Sequence, residues 1–240
     1  GVTGVQTCAL PILTDKEATL FVDKAKLTPE VEAHLAKAQV AIRDYDVFYD
    51  YLSTVKGQNI LLAANTNQAI FEALQKDNRI VQAPSPGNLM KAVKNETELA
   101  GFRTVMERDG VAMVNFLYWL THQVGKEPMT EYSIGKKLRE FRAAGANFVG
   151  ESFGSIIGYQ GNGAIVHYSA PEHGSKEVHA EGSILVDSGG QYLEGTTDIT
   201  RTIPLGKVSQ QFIDDSTLVL KGMIQLAMVQ FPKGTRGVQL

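Results

Sequence analysis

Cysteine is nearly missing from this chain. The one present among 240 residues is Cys8, which excludes an internal disulfide and a cysteine-based zinc site. Long apolar runs are missing too. The longest, Val111 to Leu120, is ten residues long and is interrupted by Asn115. A bilayer-spanning helix needs about 20, so a membrane helix is excluded. Neither sign of charge dominates: 23 Lys+Arg against 26 Asp+Glu leave a net charge of −3. The basic face that nucleic acid demands is therefore lacking, and neither nucleic acid nor membrane is an expected partner. No repeat of solenoid period is visible. What is present is ordinary for a globular protein. Hydrophobic residues make up 43% and charged residues 20%, enough for a packed core and too apolar for wholesale disorder. The length fits one large domain or two small ones.

The first dozen residues stand apart. Val2 to Ile12 reads as the translation of a common sequencing-adapter oligonucleotide. Residues 1–12 are therefore expected to be an artefact that belongs outside fold reasoning, Cys8 with them, and the chain is expected to be a fragment lacking its true N-terminus. The apolar residues Ala9 to Leu13 lack the preceding positive charge of a secretory signal, so a cytoplasmic location is the default.

Residues 13–85 alternate short strand and helix signals, the pattern of a small α/β domain. Strands are expected at residues 19–22, 59–63 and 79–82. Helices are expected from Thr28-Pro29-Glu30 through about residue 40, and at 47–55 and 68–74. Ala83-Pro84-Ser85-Pro86-Gly87 reads as a linker. A second domain, residues 86–240, opens with a helix whose N-cap Asn95 and N3 residue Glu98 form a capping box. Asn95-Glu96-Thr97 also fits a glycosylation sequon, but without secretory signals the cap is the better reading. Leu99, Phe102, Val105 or Met106, Met113, Phe116 and Leu120 follow at helical spacing. Another helix is expected over 130–144, with Ile134, Leu138 and Phe141 on one face and Gly145 as its stop. The composition then shifts, since Gly145 to Gly206 holds twelve of the 23 glycines. Strands are expected at 155–159, 164–168, 183–187 and 197–203, joined by tight turns, before a long helix over 209–231. Helices, a meander and a helix make this domain α+β.

Three groups of residues invite chemistry. Gly150-Glu151-Ser152-Phe153-Gly154 has the form of a nucleophile elbow, but strand residues follow Ser152 where that motif needs a helix. Both Asp187 and Asp198 also follow the last histidine, against the hydrolase order, so a glycine-rich turn is the better reading. His167, His173 and His179 are evenly spaced, yet residues 171–182 are polar and loop-like and fix no zinc geometry. His173 and His179 read as solvated. His167, inside the apolar run Ala164-Ile165-Val166, reads as a satisfied core histidine. Asp187 ends the apolar strand Ile184-Leu185-Val186, and a glycine-laced bend can return Asp198 beside it. Two carboxylates about 4 Å apart repel by about 4 kcal/mol at an effective dielectric of about 20. A shared proton or hard cations such as Mn, Mg or Ca resolve that repulsion, and zinc tolerates the oxygen ligands. Otherwise each Asp simply caps a turn.

The sequence Gly163-Ala-Ile-Val-His167-Tyr, followed by Ile184-Leu-Val-Asp187-Ser-Gly-Gly and Gly195-Thr-Thr-Asp198-Ile-Thr-Arg201, resembles the Xaa-Pro aminopeptidases (aminopeptidase P) of the pita-bread metallopeptidases. The Asn95 helix and Phe231-Pro232-Lys-Gly234 are similar as well, and the likeness runs over residues 13–240. It implies an incomplete pita-bread α+β catalytic domain, residues 86–240, behind the remnant of a creatinase-like N-terminal domain that restricts access to short peptides. It implies two divalent metals, Mn first, with Zn or Co as alternatives. Asp187 would hold one metal through both oxygens and Asp198 would bridge the two. His167 would stabilise charge developing near the scissile peptide, with Thr200 and Arg201 supporting the ligands. The implied reaction releases an N-terminal residue linked to proline, and a homodimer is implied. Prolidase and creatinase-like hydrolases are the rivals within the fold, and a non-catalytic protein-binding module is the rival outside enzymes. The likeness departs in one respect. A His and two Glu that complete the family's ligand set are not found before Leu240, so this chain alone is expected to be inactive and to bind metal weakly.

Overall fold

The computed structural model describes residues 9–240. Val2 to Cys8 of the adapter-like stretch lie outside them. The chain forms two compact units, one ending at Lys94 and the other beginning at Asn95.

The first unit carries β1 (Ala9–Leu13), β2 (Ala18–Val22), α1 (Pro29–Lys37), β3 (Val40–Asp44), α2 (Phe48–Thr54), β4 (Asn59–Leu62), α3 (Gln68–Gln75), β5 (Arg79–Gln82) and α4 (Pro86–Ala92). β2 lies between β1, antiparallel, and β3, parallel, while β4 and β5 form a separate parallel pair. The core is Phe21, Phe48, Leu52 and Leu74, and the Phe21 and Phe48 rings meet edge to face at 5.2 Å. Strand alternation sends Leu10 and Ile12 of β1 onto this core. Residues 9–12, set aside on sequence grounds, are thus paired in the sheet.

Three further expectations for this unit differ from the structure. The first helix stops at Lys37, and Val40 opens a strand after Gln39 takes a left-handed φ of 57°. The proline-rich stretch is not an open linker. Ser85 and Pro86 stand at the N-cap and first turn of α4, where proline's missing N–H costs nothing. The division between the units falls later than residue 85, at the Asn95 cap.

The second unit carries α5 (Glu96–Gln123), α6 (Glu131–Ala143), β6 (Phe148–Glu151), β7 (Ile156–Tyr159), β8 (Ser183–Ser188), β9 (Gly190–Tyr192), β10 (Ile199–Pro204) and α7 (Gln210–Met228). Asn95 Oδ1 accepts from Glu98 N and Glu98 Oε2 accepts from Asn95 N, each at 2.9 Å, which closes the expected capping box. Thr130 and Ser209 cap α6 and α7 with their hydroxyls. β8 lies between β7 and β10 in an antiparallel sheet, and β6 pairs with β9. Ile184 and Val186 of β8 meet Phe116 and Leu120 of α5 and Ile134 and Leu138 of α6 in one core. This α+β arrangement matches the expected class, but β6 and β9 are additional to the expected strands, and the structure also differs at residues 164–168. There a 3₁₀ turn (Gln160–Ala164) and a bend replace the strand.

Replacing Asn95 with alanine removes one side of the capping box. The stability of the second unit should fall by about 1 kcal/mol in denaturant unfolding followed by circular dichroism.

Candidate metal centre

The centre begins with the register of β8 and β10. Asp187 stands opposite Thr200, and Ser188 opposite Ile199. Directly opposed residues share a face, and the Thr200 hydroxyl donates to Asp187 Oδ1 at 2.7 Å, which fixes that face. Asp198 lies two residues before Thr200. Exposure alternates along this approach, with Thr197 buried, Asp198 exposed, Ile199 half-buried and Thr200 exposed. The alternation puts Asp198 on the Asp187 face as its diagonal neighbour, a relation that spans about 7–8 Å. The chain reverses between them at Leu193-Glu194, and Gly189 lets it pack closely on the returning segment, since a Cβ there would collide with the Thr197 carbonyl oxygen and Ser152 Oγ.

The other face of β8 is core: Ile184, Val186 and Ser188 are buried, whereas Asp187 is half-buried. Among the described residues neither Asp187 nor Asp198 has an ion-pair partner, and the Asp198 carboxylate accepts no hydrogen bond. The Arg201 guanidinium donates instead to the Thr200 carbonyl at 2.7 Å. Two carboxylates without counter-charge on one face, one already oriented by a hydroxyl, are a fitting donor set for a hard divalent cation. They are only part of a complete set. Among the described residues no three His, Cys, Asp or Glu side chains group as metal ligands.

His167 is not the core histidine expected by default. It is exposed, in a turn, with a left-handed φ of 56°. The segment leading to it folds over the face of β8 that carries Asp187. Gly163 packs on Gly158, where a Cβ would come within 2.7 Å of the Gly163 backbone, and a Cβ at Gly163 would lie 3.3 Å from the Leu185 Cβ. Leu185 shares its face with Asp187.

Glu131, fully buried at the start of α6, ties down both flanks of this segment. Its carboxylate accepts from the Tyr159 backbone N–H at 2.7 Å, the Asn162 amide at 3.0 Å and the Tyr168 hydroxyl at 2.7 Å. That hydrogen bond to Glu131 is the largest influence on Tyr168, whose phenol is pushed up to about 12.

Ser152 is no nucleophile. Its hydroxyl donates to the Thr197 carbonyl at 2.9 Å, and β7 rather than a helix follows. His173 and His179 are exposed, with His179 4.0 Å from Glu177, and they form no cluster with His167.

Sequence reasoning missed Glu131 and a second buried group, Asp109, which is fully buried with Arg142. The signal was available. Asp109 occupies the apolar stripe of α5 between Val105 and Met113, while Glu131 and Arg142 occupy the α6 stripe with Ile134 and Leu138. A charge at a stripe position has to be paired inside.

Burial acts most strongly on the Asp109 carboxyl and raises its pKa. Hydrogen bonds from Arg142, Tyr192 and Thr197, with the Arg142 charge, outweigh burial and leave it below the ordinary value.

Residues 100–240 match the model for metallopeptidase family M24, and residues 5–98 match the creatinase/prolidase N-terminal domain. Xaa-Pro aminopeptidase 1 of Dictyostelium discoideum is 37% identical over 232 residues, covering 94% of this chain and 36% of that protein. A solved X-prolyl aminopeptidase from Caenorhabditis elegans, described as a cytosolic enzyme with a di-nuclear active site, superposes with a TM-score of 0.84 at 31% identity. It covers 96% of this chain and 39% of its own. Prolidase from Pyrococcus furiosus shares the fold at a TM-score of 0.69 and 17% identity, over 90% of this chain and 61% of its own. The chain spans 36–40% of the length of the curated relatives it matches.

Two pH dependences follow. Asp109 has a folded pKa below its unfolded value near 4. The stability it contributes is present above about pH 4 and is lost as pH falls through the folded pKa. Urea melts at pH 7 and pH 3 should show a smaller loss in Asp109→Asn, which starts from a lower stability. For Tyr168 the folded pKa is raised, so its contribution is present below about pH 10 and is lost as pH rises through about 12. Tyr168→Phe should flatten the alkaline limb of the same melts.

Proposed function

The chain belongs to metallopeptidase family M24, and from that premise we propose that the full-length protein is an Xaa-Pro aminopeptidase, releasing the N-terminal residue of peptides with proline in second position. The observation that carries this reading is the β8–β10 register, which pairs Asp187 with Thr200 and so supports Asp198, two residues before Thr200, as a neighbour on the same face. Its support from relatives is the run of likeness to Xaa-Pro aminopeptidases across both units.

Asp187 and Asp198 are the proposed ligands of two divalent metals, Mn first, with Zn or Co as alternatives. Bound there, the cations would supply an acidified water and a polarised peptide carbonyl. The protein's own groups divide the remaining work. Thr200 holds the Asp187 carboxylate in one orientation through its 2.7 Å hydrogen bond. His167, exposed on its turn, is proposed to donate an imidazole N–H where negative charge builds on the substrate. Glu131 fixes the segment on which His167 stands. The first unit is proposed to limit access to short peptides. The protein is proposed to work as a homodimer in the cytoplasm. Among the described residues, no helix is long and apolar enough to cross a membrane.

Full-length protein loaded with Mn²⁺ should cleave Xaa-Pro-Xaa tripeptides in preference to Xaa-Pro dipeptides. The reverse preference would make it a prolidase, and no cleavage of either would favour a non-catalytic binding module. His167→Ala should lower kcat by about 100–1000-fold with little change in KM, because the lost interaction is made mainly in the transition state. The 240-residue chain alone, with no third ligand grouped among its described residues, should show weak Mn²⁺ binding by calorimetry and no Xaa-Pro cleavage.

A further inference from the structure

We propose that Thr197 is the positioning residue for Asp198, and that it acts by tying the Asp198 turn to the buried Asp109–Arg142 pair. The inference rests on the metallopeptidase reading for its purpose but not for its geometry.

Thr197 is 2% exposed and adjoins Asp198 in the chain. Its polar groups are all engaged. The hydroxyl donates to Asp109 Oδ2 at 2.9 Å and accepts from the Gly190 N–H at 2.9 Å. Its backbone N–H donates to the Gly190 carbonyl at 2.9 Å, and its carbonyl accepts from Ser152 Oγ at 2.9 Å. The neighbouring Asp198 carboxylate accepts no hydrogen bond among the described residues, so the immediate restraint on Asp198 comes through the backbone on either side. β10 supplies that restraint only after residue 198. Thr197 supplies it before.

Asp109 is a firm anchor. Arg142 Nε donates to Oδ1 at 2.7 Å and Nη2 to Oδ2 at 3.2 Å, and the Tyr192 hydroxyl donates to Oδ1 at 2.7 Å. All of this lies at the join of α5 and α6, the two longest core-forming helices of the unit. A hydrogen bond to a buried, paired carboxylate is stronger and more directional than one to a neutral acceptor. Asp109 therefore gives the exposed Asp198 turn a fixed point in the rigid part of the molecule. A metal-binding carboxylate at the end of a strand, before the ladder begins, needs such a point to keep its place relative to Asp187.

The test uses the 240-residue chain labelled with ¹⁵N and four variants. Thr197→Val removes the hydroxyl at constant shape, Thr197→Ala removes it by a second route, and Thr197→Ser keeps it. Tyr192→Phe removes a different hydrogen bond to the same Asp109. Backbone relaxation at Asp198 and Ile199 should give order parameters near about 0.85 in the parent, Thr197→Ser and Tyr192→Phe. They should fall below about 0.6 in Thr197→Val and Thr197→Ala, with core resonances such as Phe116 unmoved. Titration with Mn²⁺, read by paramagnetic broadening at Asp187 and Asp198, should weaken by about 10–100-fold in those two variants and recover in Thr197→Ser. Unchanged order at Asp198 in Thr197→Val and Thr197→Ala would overturn the proposal. Equal loosening in Tyr192→Phe would overturn it too, by showing a general rather than a directed effect. If full-length protein shows no Mn²⁺ broadening at either aspartate, the metal reading fails, and the order parameters of the 240-residue chain still decide the role of Thr197.

Discussion

The antiparallel pairing of β8 with β10 is the constraint on which the centre depends. Because side chains alternate along a strand, a slip of one residue would send one aspartate into the core and leave its partner outside. The register is held from the core side. Ile184 opposite Ile203 places both in the apolar interior, and Ser188 opposite Ile199 continues that face. The hydrophobic effect that buries these residues is non-directional, but its alternation in sequence is not. It commits Asp187 to the outer face, opposite Thr200, and Asp198 precedes Thr200 by two residues on the strand's approach.

Around this pairing the second unit uses buried charge for placement. Glu131 has no cation beside it among the described residues and depends on hydrogen bonds from Tyr159, Asn162 and Tyr168. Asp109 has Arg142. Replacing such groups with well-packed apolar side chains often costs a fold nothing, whereas removing one partner alone costs about 3–5 kcal/mol. Stability by itself is thus a weak reason for them. What they share is direction: one aims at the His167 segment and the other at the turn before Asp198. Both begin on helices whose apolar stripes fix them firmly.

Helix starts were the most legible part of the fold. Thr28, Asn95 and Ser209 each announce a cap with a side chain that accepts from the first turn, and the helices begin there. Short strands at sheet edges were less so. Phe148–Glu151 and Gly190–Tyr192 are too brief to show a period, and only their mutual pairing defines them. The run Ala164-Ile165-Val166 misled for a different reason. Apolar composition suggests a buried strand, but the glycines before it close a 3₁₀ turn, and Ile165, Val166 and His167 emerge exposed.

The sequence alone carried the main helices and the central strands, a two-unit organisation, and the spacing of Asp187 and Asp198 that resembles a metallopeptidase, because caps, periodicity and motif spacing are local properties of the chain. It could not say which face each aspartate takes or that His167 stands in a left-handed turn. Nor could it say that Asp109 and Glu131, far away in the chain, meet the segments they hold. Those are decided by pairing and packing between residues distant in sequence, where a hydrogen bond or a buried charge finds its partner only once the chain has folded.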